Sequence, residues 1–369
     1  MNVYSHYNGQ LGLICFAIYL VMLIRGRRTF PGTISQSRNY WFVFFGMALY
    51  SVLGFLEPDT YHYHRVYQEM MTSGFQVYME TFYYWLAMHL PDSYLLWRFA
   101  VWGTACVLMV LSAKLLGLNA HVFCFMAPLL FLTQLAVTRG AIGLALMVFC
   151  AILFIQSLEK KKLIFALVAV LGVFASSFLH KSMIIFIVIL VASFLIPLNK
   201  RTFIISLIIF PLLYGVALQL FKDFSFFTEL SEEQAQLISN YQESEKTVKN
   251  INGIIITVFE KTVLILLLFN ITKKFLFDKI ESTKAQRFIY KYAYFMVYVS
   301  FLFLGQEVSN WVSNRTLHAA SFALVLCATQ CFDTDKVKNS RTIIEKAILI
   351  GLIVMTVWKQ FSFMRLYWR

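Results

Sequence analysis

Long apolar runs recur along the whole chain and are separated by short polar segments. Most are close to the ~20 residues that a helix needs to cross a bilayer. They fall at 9–25, 40–56, 95–116, 121–137, 140–158, 163–179, 182–198, 203–221, 253–271, 288–306, 315–332 and 344–360. The pattern predicts an all-α, polytopic membrane protein with about twelve transmembrane helices, forming a single transmembrane domain over residues 1–369.

Composition supports the same class. Hydrophobic residues make up 59% of the chain and charged residues 14%, which a soluble fold of this size does not accommodate. The net charge of +13 would suit a nucleic-acid-binding protein, but the basic residues lie in short loops between apolar runs. That placement is typical of the positive-inside rule, so no nucleic-acid partner is expected. The six cysteines lie inside apolar runs and are interpreted as packing residues.

The basic residues also orient the spans. If the N-terminus is outside and twelve spans alternate, every inner loop carries Lys or Arg, and both termini are extracytoplasmic. Two long segments then lie outside, at 57–94 and 222–252. The second is acidic and contains SEEQAQLISNYQ, which has the start signal of a short helix.

Ionisable residues from five parts of the chain come out on this extracytoplasmic side. They are Asp59, His62, His64, Glu80, Arg139, His180, Lys181, Glu307 and Arg315. Ionisable groups at the ends of spans are costly unless they are paired, hydrated or functional. We therefore expect these residues to line one outer site.

Several of these residues also have a simpler interpretation. Asp59 is typical of a turn, Glu80 of a helix N-terminus, and His180 of a helix C-terminal cap. Arg139 lies at a membrane-embedded turn, where a guanidinium favours a carboxylate, a phosphate or a lipid headgroup as its partner. Arg315, at the start of the eleventh span, is the same case.

The stretch DTYHYHRVY at 59–67 alternates tyrosine with histidine. As a strand it would have one aromatic face and one histidine face, whereas as a helix it would stack Tyr63 on Tyr67. His62 and His64 are interpreted as surface or sugar-contacting residues. An HxH pair beside a carboxylate can hold a cation, but no metal site is predicted here.

This inventory matches the needs of glycosyl transfer from a lipid-linked pyrophosphate sugar. The leaving pyrophosphate gains negative charge in the transition state, which fixed Arg or Lys side chains stabilise. The acceptor hydroxyl needs a base such as Asp, Glu or His. Sugars also need aromatic surfaces and many hydrogen bonds, beside the lipid and on the outer side.

The same residues form motifs that resemble the EpsG-like, Wzy-type family of bacterial exopolysaccharide and O-antigen polymerases. The matching elements are DTYHY at 59–63, ETFYYWL at 80–86, RGAIGLAL at 139–146, EKKK at 159–162, FLHKSMII at 178–185 and SNRTLHAASF at 313–322. Their order and spacing agree over most of the chain. The sequence departs from the family pattern at Thr60, where an aromatic residue is common, and at Gly140, where Gln is usual.

The resemblance implies a membrane-embedded, inverting glycosyltransferase of the GT-C type that needs no metal or other cofactor. It would join undecaprenyl-pyrophosphate-linked repeat units at the outer face of the bacterial cytoplasmic membrane, with a chain-length regulator as a candidate partner. Arg139 and Arg315 would contact the pyrophosphate or its neighbouring sugars. His180 and Asp59 would be the candidate bases, with Glu80 as the third. The expected substrate contacts are Tyr61, His62, Tyr63, Tyr67, Lys181 and Asn314, and segment 222–252 would be a lid or acceptor guide.

Three other functions remain open at this point. A flippase for lipid-linked oligosaccharides alternates access, so its charges should line both halves of a cavity. Here the predicted ionisable set is one-sided, which favours an enzyme. A metal-dependent GT-C monosaccharide transferase would use Glu57 and Asp59 as a metal pair, and a membrane acyltransferase would need a clearer histidine–acid pairing.

Overall fold

The computed structural model describes residues 60–74, 80–131, 138–180, 182–222, 251–304, 307–333 and 342–367, together with residues 17 and 21. These described residues contain twelve α-helices and no β-strand. The helices are α1 Thr60–Ser73, α2 Thr81–His89, α3 Tyr94–Leu115, α4 Ala120–Met126, α5 Thr138–Glu159, α6 Leu163–Leu179, α7 Met183–Leu195, α8 Lys200–Lys222, α9 Ile251–Thr272, α10 Lys284–Leu302, α11 Glu307–Cys331 and α12 Ile343–Tyr367. Single π-helical turns extend α4 over Ala127–Phe131 and α9 over Lys273–Phe277.

The all-α prediction is confirmed for the described part of the chain. Helices α3 to α12 coincide with ten of the predicted runs, and α6 has the predicted bounds of 163–179. Among the described residues, three segments are long and apolar enough to cross a membrane: Tyr94–Leu115, Gly140–Glu159 and Lys200–Ala217. The number of twelve spans and the GT-C fold stay predictions. Runs 9–25 and 40–56 fall outside the description except at residues 17 and 21, and the acidic stretch 223–250 falls outside it entirely.

Helix α11 corrects one sequence-based prediction. The eleventh span was expected at 315–332, with Arg315 at its start, but the helix already begins at Glu307. Arg315 therefore lies eight residues inside the helix, about 12 Å along its axis, and not at its start. The polar residues at 306–315 resemble a turn in sequence, yet a helix satisfies their backbone hydrogen bonds equally well.

Polar side chains explain several helix starts. Ser93 accepts a hydrogen bond from the backbone N–H of Leu96 at the beginning of α3 (3.4 Å). Thr283 and Gln286 form a reciprocal capping box at the beginning of α10. Such caps satisfy N–H groups that have no partner inside the helix.

Helix α5 is central to the bundle, where it packs against α3, α6 and α10. Two glycines allow its close contact with α6 and the start of α7. A Cβ atom at Gly172 would lie 2.4 Å from Cys150 Sγ, and one at Gly143 would lie 3.1 Å from Met183 Sδ. Larger residues at these positions would push the helices apart.

The outer faces of α6, α7 and α8 are apolar. On α6 the exposed side chains follow a helical stripe, at Ile164, Leu167, Leu171, Phe174 and Phe178. A continuous exposed apolar stripe along a helix is costly in water and is typical of contact with lipid. The five cysteines within the described residues are buried free thiols, in agreement with their interpretation as packing residues.

Hydrogen bonds tie several helix ends together at one end of the bundle, which we name the Lys274–Glu345 end. It contains the end of α3, the end of α5, the start of α10, the end of α11 and the start of α12. Gln156 Nε2 donates to Leu115 O (2.6 Å), and Gln286 Nε2 donates to Leu116 O (2.9 Å). Gln330 Nε2 in turn donates to Gln286 Oε1 (3.0 Å).

A buried ion pair gives this end its name. Lys274 Nζ contacts Glu345 Oε1, donates to Cys331 O (2.5 Å) and lies 5.7 Å from the ring centre of Phe332. The other carboxylate oxygen, Glu345 Oε2, accepts from the backbone N–H of Thr342 (2.9 Å). Both oxygens of the carboxylate are therefore used, which is what a buried charge requires.

Candidate functional site

A carboxylate and an imidazole from distant parts of the chain meet at the opposite end, which we name the Glu80–His180 end. His180 directly follows α6, and Glu80 directly precedes α2 without capping it through its side chain. The two residues are 100 positions apart, and His180 Nδ1 lies 2.5 Å from Glu80 Oε1. The side chains are 17% and 9% exposed, so the pair is shielded but still reachable.

The geometry assigns the proton on the imidazole. A carboxylate accepts hydrogen bonds, so Nδ1 of His180 carries the hydrogen and donates it to Glu80. The lone pair of the neutral ring then lies on Nε2, to which no residue in the described ranges makes a hydrogen bond. A histidine that is oriented by a carboxylate and has a free ring nitrogen is suited to act as a general base.

An aromatic cluster holds this end together. Its members are Tyr63, Tyr67, Tyr83, Tyr94 and Trp97, all at most 6% exposed. They come from α1, α2 and α3, and they pack with Ile142 of α5 and Leu179 of α6. Leu179 is the neighbour of His180, and Ile142 lies three residues after Arg139, so the cluster positions both motifs.

Two polar contacts fix the relative positions of α1, α2 and α3. Trp97 Nε1 donates to Tyr83 O (3.1 Å), and the Tyr67 hydroxyl donates to Asp92 Oδ1 (3.3 Å). Burial, and next the charge of Asp92, raise the pKa of Tyr67. The alternating stretch 59–67 therefore enters a helix, α1, and both Tyr63 and Tyr67 lie on its buried face.

The structure also identifies one residue that the sequence pattern did not single out, Arg98, and shows that His64, which was expected at the surface, is half-buried. Arg98 lies in an apolar run on α3, yet its side chain is fully buried, and Nη1 donates to the Tyr94 hydroxyl (3.3 Å). His64 packs its ring edge-on against Tyr94, with centroids 4.8 Å apart, and burial lowers its pKa. The available sequence signal was a single arginine within YLLWRFAVW, which resembles a residue at the end of a span.

The structure brings four of the predicted site residues together and describes the others only in part. Tyr63, Tyr67, Glu80 and His180 lie at the Glu80–His180 end. Asn314 and Arg315 are half-buried on α11, outside the aromatic cluster. Asp59 and Lys181 lie outside the described residues, and Tyr61, His62 and Arg139 are described in backbone only, in α1 and α5.

No group of three or more His, Cys, Asp or Glu side chains suited to a metal occurs in the described ranges. Glu57 and Asp59, the pair that a metal-dependent transferase would use, lie outside them.

Long apolar helices, a lipid-type outer surface and a shielded carboxylate–imidazole pair define a helical membrane protein with a candidate acid–base site at one end. Comparison with protein families identifies the family: the EpsG family model matches residues 38–367. The chain belongs to the EpsG family, and the resemblance drawn from its motifs is confirmed. No curated protein and no solved structure matches the chain.

Proposed function

We propose that this EpsG-family protein is a polysaccharide polymerase, a membrane glycosyltransferase of the GT-C type. It joins undecaprenyl-pyrophosphate-linked oligosaccharide repeat units at the outer face of the bacterial cytoplasmic membrane. Family membership supports the polymerase class. The contact between Glu80 and His180 carries the proposal for the chemistry, because it provides a positioned base beside an apolar surface.

The proposed reaction assigns a role to each member of the pair. His180 Nε2 takes the proton of the acceptor hydroxyl, whose oxygen forms a bond to the anomeric carbon of the donor sugar. The bond from that carbon to the pyrophosphate oxygen breaks, and the pyrophosphate leaves with the electron pair. Glu80 orients the ring and stabilises the imidazolium that forms. Of the three candidate bases, His180 is thus preferred, and Glu80 becomes its positioning partner.

The leaving group is assigned to the cations. Arg139 lies in the first turn of α5, three residues before Ile142 of the core at this end. Arg315 lies on α11, about 12 Å along the axis from the start of the helix, and is proposed for the same leaving group. Fixed guanidinium groups stabilise the charge that develops on the pyrophosphate.

The substrate contacts divide into two groups. Tyr63 and Tyr67 pack within the aromatic cluster, each 3% exposed, so their role in this conformation is to hold α1 in place. Tyr61, His62, Lys181 and Asn314 are proposed as contacts with the donor or the acceptor. The lipid bilayer supplies the polyprenyl part of the donor through the apolar outer faces of the helices.

The proposal is tested in a strain that lacks this gene and is complemented with wild type, His180→Ala or Arg139→Ala. Surface polysaccharide is separated on a gel, and the amount of membrane-inserted protein is measured in parallel. Glu69→Gln serves as a control, since Glu69 is an exposed carboxylate of α1 that pairs with Arg65.

We expect both variants to lose the polymer ladder while single repeat units still reach the outer surface. Lipid-linked units that accumulate inside the cell would instead identify a flippase and overturn the proposal. An unchanged ladder in His180→Ala would remove this histidine as the base. An unchanged ladder in Arg139→Ala would remove that arginine from the site.

A further inference from the structure

The exposed face of α2 carries a column of three rings. The ring centroids of Phe82 and Trp85 are 6.4 Å apart with planes at 26°, and those of Trp85 and His89 are 4.4 Å apart with planes at 28°. Spacings of three and four residues put all three rings on one side of a helix. Trp85 is 52% exposed and His89 is exposed, whereas Phe82 is half-buried.

The column is rigid because α2 is fixed from behind. Tyr83 and Ala87, on the opposite face of the helix, are fully buried. Trp97 holds the helix through the backbone carbonyl of Tyr83. His89 Nδ1 donates to Trp85 O (2.8 Å), which orients the imidazole and makes Nε2 the ring atom that remains for an outside partner.

We propose that the column of Phe82, Trp85 and His89 binds the acceptor glycan along the exposed edges of its rings, and so forms an acceptor subsite. This inference rests on the proposed polymerase function. Glu80 immediately precedes α2, so Trp85 lies about 7.5 Å further along the helix axis than the carboxylate that orients His180. The column spans about 10 Å of helix, which allows contact with more than one sugar ring.

The chemistry of the column favours contact with a sugar over contact with the lipid of the bilayer interface. Tryptophan is enriched at that interface, but helices that lie there also carry Lys or Arg, and TFYYWLAMH has neither. The exposed stripe of α6, which we assign to lipid, contains only Ile, Leu and Phe. The column instead combines aromatic rings with an imidazole hydrogen-bonding group, and exposed Asp92 lies three residues after the end of α2.

Fluorescence of the purified full-length protein in lipid nanodiscs distinguishes the two occupants. The signal of Trp85 is the emission that Trp85→Phe removes. Trp358 on α12 is a matched control because it is 51% exposed, close to the 52% of Trp85, on a helix predicted to lie in the bilayer. One series adds oligosaccharides of one to three repeat units, made by partial acid hydrolysis of the polymer from the complemented strain. The other series replaces the nanodisc lipid with brominated lipid.

We expect the oligosaccharides to change the Trp85 signal saturably and brominated lipid to quench Trp358 but not Trp85. Trp85→Ala should raise the acceptor concentration for half-maximal polymerisation roughly tenfold, the size typical of a truncated aromatic anchor. Quenching of Trp85 by brominated lipid to the same extent as Trp358 would overturn the subsite. A Trp85 signal that no oligosaccharide changes would overturn it as well.

Failure of the subsite is distinguishable from failure of the proposed function. If the subsite is wrong but the protein is a polymerase, Trp85→Ala keeps the full ladder and His180→Ala still loses it. If the protein is not a polymerase, lipid-linked units accumulate inside the cell in the strains that lose the ladder, whatever Trp85→Ala does.

Discussion

Each end of the bundle contains a shielded contact between a carboxylate and a nitrogen group, but the two contacts differ in what they leave available. At the Lys274–Glu345 end, both carboxylate oxygens and the ammonium are occupied by partners within the protein. At the Glu80–His180 end, the second partner is a histidine with one ring nitrogen to which no described residue makes a hydrogen bond.

The nitrogen group at each end determines what the contact can do. A lysine that is saturated with partners holds helices together and has no capacity for a reaction. A histidine changes its protonation near neutral pH and transfers the proton through its second nitrogen. We infer that the Lys274–Glu345 end is structural and that the Glu80–His180 end is chemical. Substitutions at the Lys274–Glu345 end should therefore mainly lower stability, and substitutions at the Glu80–His180 end should mainly lower activity.

The largest effect is expected from Lys274→Met. It leaves the Glu345 carboxylate buried without its cation, which costs about 3–5 kcal/mol in the free energy of unfolding. The double variant Lys274→Met/Glu345→Met should recover most of that loss. The measurement is thermal unfolding of the detergent-solubilised protein.

Lys284→Met is the matched control, because Lys284 is 80% exposed and lies 4.0 Å from Glu159. This substitution should lower the free energy of unfolding by less than about 1 kcal/mol. A Lys274→Met protein that is stable but inactive would contradict the structural assignment of this end.

The next effect concerns Glu80→Gln. The amide oxygen still accepts the hydrogen bond from His180, but the negative charge that stabilises the imidazolium is lost. We expect polymerisation per folded molecule to fall about a hundredfold, at the lower end of the range for acid–base catalysis, with little change in unfolding temperature.

Glu345→Gln is the comparison variant at the other end, and it should lower stability while leaving the activity of each folded molecule unchanged. Less protein folds, because the ion pair with Lys274 is lost, but each folded molecule stays active. Equal losses of stability and activity in both variants would remove the distinction between the two ends.

A smaller effect is expected from Tyr67→Phe. It removes the hydroxyl that donates to Asp92 and keeps the packing of the ring against Tyr94 and Trp97. The cost is about 1 kcal/mol in unfolding free energy, as for a partly buried hydrogen bond. Urea or thermal unfolding checks this, and a much larger cost would show that the hydroxyl has a further partner.

The smallest expected effect is a pH dependence of the free energy of unfolding that arises from His64. Burial holds its pKa below the ordinary 6.5, so the unfolded chain binds a proton more readily than the folded protein does. This contribution to stability is present above pH 6.5 and is lost as the pH falls through the lower, folded pKa. The free energy of unfolding of His64→Gln should therefore change less with pH in that range than that of wild type. An identical slope of unfolding free energy against pH in the two proteins would show that His64 is not the source of the effect.

The helices were predictable from sequence where a bilayer constrains them. A run such as 163–179 has the length and apolar composition of a spanning helix and polar residues on both sides, so the predicted bounds of α6 agree with the structure. The start of α11 was not predictable, since QEVSNWVSNR has the composition of a turn. Helix formation there depends on packing, for example the hydrogen bond from Ser300 Oγ to Ser313 O (2.8 Å).

The contact between Glu80 and His180 was not predictable from sequence, although both residues were predicted to lie on the same side. The motifs suggested that Glu80 and His180 lie on the same side, yet no local pattern indicates that residues 100 positions apart are in contact. Buried charges away from the motifs were not predictable either. Lys274 belongs to a lysine pair with the composition of a solvated loop, and only the fold reveals that it is buried.

The short connection between α5 and α6 has a consequence for the site at the far end of α6. Lys160, Lys161 and Lys162 join the two helices, and Lys161 adopts a left-handed conformation at φ 55°. So short a connection sets the rotation of α6 about its own axis. One residue inserted into the first turn of α6 would turn the rest of the helix by about 100° and carry His180 away from Glu80, although the insertion would lie about 25 Å from the histidine. The connection at one end of α6 and the contact between His180 and Glu80 at the other end are thereby linked through the rotation of a single helix.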